Sequence, residues 1–394
     1  MLEYSALCAA FKDKALPLAF VDMAAFENNI KAIAQRASSK KVRIATKSIR
    51  CVHLTKYILQ FNPAVFQGLM CYHPQEAVFL AQQGFDDMLI AYPFTQKQAI
   101  EAVANEIING KKIIVMADLK QHIDNYQQVA QEKNCILPIC LDLDLSVTFP
   151  GLHFGVLRSA IKTSENAVEL AKYIQQKKHL KLVGLMGYEA QIAGVGDKMN
   201  NNYLKNKIVQ LLKSISLPKI KQRRTQTIEA IKQLGIELDF VNGGGTGSLE
   251  TTCQEDLVTE VTAGSGFYQS HLFDYYQSFR HEPAAGFALE ITRNPQQNIY
   301  TCFGGGYIAS GSAGIEKQPL VWLPNEAELT SLEGAGEVQT PVKCPKPLEV
   351  GGMVFFRHAK AGELCERFTH LHLIQNYKIT QTVPTYRGQN QCFL

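Results

Sequence analysis

The stretch Asp239-Phe-Val-Asn-Gly-Gly-Gly-Thr-Gly-Ser248 carries a short apolar run into a glycine-rich turn that ends in hydroxyls. Successive glycines let backbone N–H groups converge on an anion, and Thr246 and Ser248 can supplement them where a helix follows. No Gly-Lys-Ser/Thr follows, so this is not a P-loop. Its place late in the chain does not fit the dinucleotide fingerprint, which sits in a first strand–helix turn. The next apolar run ends the same way, in Thr262-Ala-Gly264-Ser265-Gly266-Phe-Tyr268. Strand–helix barrels often build a phosphate site from the loops after strands 7 and 8 together, and these two turns are adjacent candidates for that arrangement. Either could be a plain tight turn; the pair says more than its members.

Upstream of these turns, short β-branched or apolar runs alternate with longer amphipathic segments. The runs are Leu18–Asp22, Val42–Thr46, Val65–Leu69, Met88–Ala91, Lys112–Ala117, Ile136–Asp144, Leu182–Tyr188, Leu238–Val241 and Leu257–Thr262. Helix-like stretches between them start on good signals, such as Asp22 before Met23–Ala37 and Pro74 before Gln75–Gln83. This alternation predicts a parallel sheet with right-handed crossovers and, closed around, a (β/α)8 TIM-like barrel. After about residue 280 the texture changes to β-like runs broken by Gly and Pro: Gly286–Thr292, Asn298–Phe303, Pro319–Leu323, Val350–Phe356, Leu371–Ile374 and Tyr377–Val383. The expected division is a barrel over residues 1–280, its first residues free to pack elsewhere, and a mainly antiparallel β domain over 281–394. The polar, basic, Pro-containing stretch Ser214–Arg224 reads as a solvated surface segment.

Composition narrows the function classes. With 394 residues, 46% of them hydrophobic and 19% charged, the chain has the make-up of an ordinary globular protein rather than a disordered one. A net charge of +4, scattered along the sequence, lacks the concentrated basic field that nucleic-acid binding uses. The N-terminus lacks a basic segment before its short apolar stretch, so no signal peptide is expected, and no apolar run approaches the ~20 residues of a membrane span. The ten cysteines, irregularly spaced and without a CxxC pair, then read as reduced thiols of a cytoplasmic protein.

In a barrel, chemistry belongs at the C-terminal ends of the strands. Lys47 closes an early run in Lys41-Val-Arg-Ile-Ala-Thr-Lys47-Ser-Ile-Arg50. Such a lysine can be held among cations and apolar walls so that its neutral amine attacks a carbonyl, or it can be solvated or touch a phosphate; Arg43 and Arg50 fit either reading. Leu185-Met-Gly-Tyr188-Glu189-Ala-Gln191 brings an aromatic ring, a carboxylate and an amide to the mouth, where Tyr188 either orients a cofactor or packs. Asp142 and Asp144 share a strand face, as a paired acid site or as buried carboxylates with barrel partners. A Schiff-base lysine, a phosphate cradle of Gly244, Gly245, Thr246, Gly264 and Ser265, and an aromatic at the mouth together specify pyridoxal phosphate (PLP) better than any other ligand.

These residues resemble the PLP enzymes with an alanine-racemase-like N-terminal barrel, and more closely their D-threonine aldolase and D-serine dehydratase branch. Arg43-Ile-Ala-Thr46-Lys47-Ser48 is similar to that branch's lysine motif, Gly243–Thr246 to its late glycine turn, Ala263-Gly264-Ser265 to the turn after it, and Leu16–Asp22 with Asn28 and Asn29 to its opening segment. The resemblance extends to Gly352–Phe368. It implies a PLP-dependent lyase acting on a D- or β-hydroxy amino acid through a Lys47 Schiff base, with His358 as acid/base or substrate-hydroxyl contact, and a homodimer that shares its active sites.

Two departures stand out. The branch places in its β domain a divalent-metal site, a His followed two positions later by Cys or Asp, whereas this chain reads Arg357-His358-Ala359-Lys360. An ammonium has no lone pair for a cation, so the metal is in doubt, and Lys360 could instead form a salt bridge or bind a substrate carboxylate. Cys365, His370 and His372 lie nearby in sequence. The second departure is His153, where relatives often have Arg. One alternative is a racemase, which needs a tyrosine facing Lys47 across the ring; Tyr268, Tyr275 and Tyr276 are poorly placed for that. Another is a non-catalytic PLP-homeostasis protein, against which the β domain argues. A third is a phosphosugar barrel enzyme without PLP.

Overall fold

A computed structural model describes residues 2–200, 202–312, 314–360 and 362–394. The first strand is β1 (Leu18–Asp22). There follow β2 (Lys41–Ala45), β3 (Phe66–Cys71), β4 (Met88–Ile90), β5 (Ile113–Ala117) and β6 (Leu137–Asp142). A short hairpin of β7 (Val147–Phe149) and β8 (Leu152–Phe154) precedes β9 (Leu180–Gly187), β10 (Phe240–Gly243) and β11 (Glu260–Ala263). Eight of these close in the order β10-β11-β2-β3-β4-β5-β6-β9, with every neighbouring pair parallel. This is the expected barrel.

Side chains fill its interior. An apolar layer of Leu89, Ile114, Met116, Cys140, Val183 and Phe240 occupies one side, and Gly184 leaves the space in which the Phe240 ring lies. The other side is polar. Arg43 donates to Glu260 at 2.7 and 3.0 Å and to the Asp87 carbonyl at 2.7 Å, Asn242 donates to Glu260 at 2.8 Å, and Thr262 donates to Asn242 at 3.0 Å. Buried charge is tolerated only when paired in this way. Arg43 therefore belongs to the barrel floor and not to its mouth.

The first of the nine runs, Leu18–Asp22, lies outside the barrel. β1 pairs antiparallel with β12 (Ala285–Gln296) and parallel with β18 (His370–Gln375), inside a sheet ordered β15-β16-β13-β12-β1-β18-β19, with β17 beside β12 and β14 beside β17. The remaining members are β13 (Ile299–Phe303), β14 (Leu320–Leu323), β15 (Glu328–Leu329), β16 (Gln339–Lys343), β17 (Met353–Arg357) and β19 (Lys378–Pro384). A strand buried on both faces, as β1 is up to Asp22, reads as central in some sheet, but periodicity cannot say which one. Packing decides: Phe20 stacks on Trp322 at 5.8 Å and leans on Phe11 and Phe355, aromatics from outside the barrel.

Ser214–Arg224 also departs from expectation, lying within one helix, Tyr203–Lys232, that runs through Pro218. Arg224 is 1% exposed, because it reaches back to Gly187, Glu189 and Glu255. Composition read the segment's outer face and could not see its inner one. All ten cysteines carry free thiols. No helix among the described residues is long and apolar enough to cross a membrane.

Candidate active site

The glycine turn after β10 is held from below. Glu189, at the end of β9 and 1% exposed, accepts from the Gly244 N–H at 3.3 Å, from Ser248 Oγ at 2.8 Å and from Thr252 Oγ1, and pairs with Arg224 at 2.9 Å. The sequence brought this carboxylate to the mouth; the structure sets it under the turn, where its charge is spent on hydrogen bonds. Gly244, at φ +79°, occupies the left-handed region that favours glycine. Arg36 fastens the outer side: it donates to the Thr246 carbonyl at 2.6 Å and to Glu250 at 2.9 Å, and it lies over the Phe279 ring.

The second turn, after β11, is tied to the first. Gly266 N–H donates to Thr246 Oγ1 at 3.0 Å, and Ser265 Oγ lies 3.4 Å from Ser48 Oγ beside Lys47. A Cβ at Gly264 would fall 2.7 Å from Ser48 Oγ and 2.9 Å from the Ala45 Cβ. One at Gly266 would fall 2.8 Å from Thr246, and one at Gly245 3.1 Å from the Tyr188 ring. These glycines bring two turns and an aromatic ring closer than side chains would permit, with the Gly244, Gly245 and Gly266 N–H groups donating to Glu189, Ser248 and Thr246. Close backbone approach of this kind suits a phosphate.

Lys47 occupies a one-turn 3-10 helix, Thr46–Ser48, at the end of β2, and its side chain is exposed. Its carbonyl accepts from Arg50 Nε at 2.8 Å, and Arg50 reaches on to Glu366 of the β domain. Gly362 abuts that same carbonyl, with no room for a Cβ. The lysine backbone is therefore fixed by both halves of the molecule while its side chain reaches out to solvent. Lys47 Nζ donates to Tyr92 Oη at 3.4 Å. The sequence reading passed over Tyr92, although its place just beyond β4 marks it as a mouth residue.

Tyr188 is half-buried, with its ring against Gly245 and its hydroxyl near Gly194. Burial, and then Glu189, push its phenol up to about 12, so it is a neutral donor at physiological pH. Asp142 ends β6, and burial together with Asp118 and Asp144 raises its carboxyl to about 7, against the opposing charge of Arg158. Asp144 turns away to accept from Ser146 N–H at 2.7 Å, so the expected carboxylate pair is divided between two tasks. Arg158 is exposed, and its charge is felt by Asp142, Tyr188 and Lys360 alike. The sequence reading weighed His153 for the place of an arginine. His153 lies exposed on the β7–β8 hairpin, and the arginine of this loop is Arg158.

From the β domain, His358 is 4% exposed and edge-on to Tyr268, with both ring nitrogens unpartnered. Burial, with Arg357 and His271 nearby, pushes its imidazole down to about 3, so it is neutral. It lines a cavity of about 10 Å³, room for about one water, with Tyr307, Lys360, Glu363 and Arg367. Lys360 Nζ donates to Ser310 Oγ at 2.7 Å. His370 and His372 bond to Thr369 and Thr382 on β18 and β19, while Cys365 is buried against the Ile49 carbonyl. These three do not converge.

An amine, an anion cradle, an aromatic ring and a cation thus surround one mouth, and the residues fit PLP. The divalent-metal motif is not met: its second position holds Lys360, whose ammonium has no lone pair, and among the described residues there is no group of three or more His, Cys, Asp or Glu side chains able to hold an ion.

Comparison with known proteins agrees with this fold. The family described as alanine racemase, N-terminal domain, matches residues 21–270. A 3-hydroxy-D-aspartate aldolase of Paracoccus denitrificans (strain Pd 1222) is 24% identical over 251 residues, which span 63% of this chain and 59% of that protein, less than two thirds of its length. Among solved structures, D-threonine aldolase from Filomicrobium marinum superposes with a TM-score of 0.80 at 16% identity, covering 95% of both chains. D-threo-3-hydroxyaspartate dehydratase from Delftia sp. HT23 gives 0.77 at 14% identity, covering 96% of this chain and 98% of the other.

Proposed function

The chain belongs to the alanine racemase N-terminal domain family, and from that premise we propose that it is a PLP-dependent lyase for a D-configured or β-hydroxy amino acid. The reaction is aldol cleavage or dehydration with deamination. The observation that carries this reading is the hydrogen bond from Gly266 N–H to Thr246 Oγ1, which joins two glycine turns into one cradle next to Lys47, just beyond β2.

Bound PLP supplies an aldehyde for an amine and a conjugated ring that draws electrons from the α-carbon of an amino acid. Lys47 Nζ is the amine for that aldehyde, and it is the group placed to hold or move the proton at the α-carbon. Tyr92 Oη orients this nitrogen. Gly244, Gly245, Thr246, Gly264 and Ser265 hold the phosphate, and Tyr188 supports the ring. Arg158 and Lys360 meet the substrate from opposite domains, as cations for its carboxylate and oxygen substituents. His358, neutral and without a partner, closes the inner wall and accepts a hydrogen bond from a water or substrate hydroxyl in its cavity. Racemisation would need a base across the ring from Lys47, and Tyr92 touches the lysine itself rather than facing it.

The test is direct. Purified protein should be yellow with PLP, and borohydride should fix the chromophore to the peptide containing Lys47. D-threonine, D-serine and β-hydroxy-D-aspartate should then yield glycine plus an aldehyde, or an oxo acid plus ammonia. Colourless protein that takes up no PLP would overturn the reading; bound PLP with every amino acid unchanged would make it a binding protein.

A further inference from the structure

Lys360 sits in the β-domain loop that lies against the Lys47 carbonyl, since Gly362, two residues on, is pressed onto it. Its ammonium reaches solvent and is tethered on one side by Ser310 Oγ at 2.7 Å, whose own N–H donates to Glu363 at 3.0 Å. Glu363 attracts it, while Lys47, Arg158 and Lys317 are the cations around it. Beside it, His358 offers a neutral imidazole with both nitrogens free. One free imidazole is a weak site for a divalent ion. Around it are the His271 imidazole, whose Nε2 lies 2.7 Å from the Gln318 carbonyl, an ammonium with no lone pair and a carboxylate that accepts from Ser310, while Lys317, Lys47 and Arg158 add positive charge about that ammonium.

We propose that the Lys360 ammonium takes the place of a divalent cation at the substrate side of this mouth, so that the protein works without metal and grips the oxygen on the substrate's β-carbon through Nζ. This rests on the lyase reading above. Ser310 holds the ammonium at the rim, and its other two donors have no partner among the described residues. Burial lowers the pKa of this ammonium, as do Lys317, Lys47 and Arg158, and Glu363 is the acidic group that opposes them.

Two measurements on the PLP-loaded, full-length protein decide the matter. In the first, metal content is read after exposure to zinc or manganese, alongside titration of Lys360→Asp, which pairs a carboxylate with His358. The native protein should hold no stoichiometric metal, keep its activity in EDTA, and bind zinc or manganese more weakly than K360D. In the second, Lys360→Met should raise KM for a β-hydroxy amino acid about 10- to 100-fold, the loss of one charge-assisted contact, with PLP absorbance and borohydride labelling of Lys47 unchanged; Lys360→Arg should recover part of it. Native protein that carries a stoichiometric divalent ion, or that loses activity in EDTA while retaining PLP, overturns the proposal, as does an unchanged KM in both variants. Failure to bind PLP would instead sink the lyase reading, and the metal titrations would still decide the question of the cation.

Discussion

The two sides of the barrel mouth are built on opposite principles. On the side of β9, β10 and β11, nearly every polar group is committed: Glu189 accepts from four partners, Thr246 bridges two turns, and Arg36 and Arg224 brace them. On the side facing the β domain, Lys47, Arg158 and Lys360 are exposed, and the His358 ring nitrogens have no hydrogen-bond partner among the described residues. A ligand that stays needs a socket finished by folding, whereas a ligand that comes and goes needs donors still free to meet it. The contrast predicts that damage to the first side is read as lost stability and lost cofactor, and damage to the second as lost turnover.

Lys47 stands on the border and should show the largest effect. Lys47→Ala removes the amine from both roles, so turnover should fall by on the order of 10⁴-fold, with PLP removable by gel filtration and no borohydride-stable label. Thermal stability of the apoprotein should barely change, since Arg50 and Gly362 hold the backbone and not the side chain. A large drop in melting temperature would show that the lysine has a structural task and that the border is misplaced.

Glu189→Gln tests the committed side. Removing this charge leaves Arg224, 1% exposed, with Glu255 as its remaining acidic partner and loosens three donors of the turn. Breaking a buried pair costs about 3 kcal/mol. Denaturant unfolding should show that loss, and the dissociation constant of PLP should rise with it. If PLP binding weakened while stability held, Glu189 would be acting through the ligand and not through the fold.

How much of this contrast the sequence displayed follows from what each side is made of. Glycine turns are local, so 243–248 and 264–266 announced the socket, and Lys47 announced itself as the end of a strand. Eight of the nine runs gave the barrel strands. The ninth, β1, could not be placed, because the choice between two sheets lies in contacts such as Phe20 on Trp322 that join residues 302 positions apart, from 20 to 322. β15 and β16 carried too weak a pattern to be marked. On the open side, Tyr92 and Arg158 sit in loops beyond β4 and the β7–β8 hairpin, and only closure of the barrel brings them to Lys47 and Asp142. Glu189 was seen as a mouth carboxylate because its position along the strand is legible, while the direction of its side chain is set by Arg224, 35 residues away.

Gly264→Ala should have a smaller effect than either charge change. Its new Cβ meets Ser48 and the Ala45 Cβ at under 3 Å, so the second turn must move off the end of β2 beside Lys47, at a cost of about 1–3 kcal/mol. The expected result is PLP affinity lowered about 10-fold or more with kcat in saturating PLP nearly intact. An equal loss in kcat would mean that this turn serves the open side too.

The smallest effect, and the one with the clearest sign, belongs to Asp142 on the open side. Its carboxyl titrates near 4 in the unfolded chain and at about 7 in the folded protein, because burial and the carboxylates of Asp118 and Asp144 oppose its charge more than Arg158 favours it. Between those values the folded protein keeps a proton that the unfolded chain has released. Stability from this group is therefore complete below pH 4 and is lost as pH rises through about 7. Asp142→Asn keeps the shape and removes the ionisation. Its melting temperature relative to the native protein should change little below about pH 4, rise from there to about pH 7, and level off above that, where the native carboxylate is charged in both states. Turnover should move the other way, because the carboxylate that weakens the fold is the counter-charge to Arg158. A difference in melting temperature that is flat with pH would place Asp142 among the committed groups and erase the contrast at this residue.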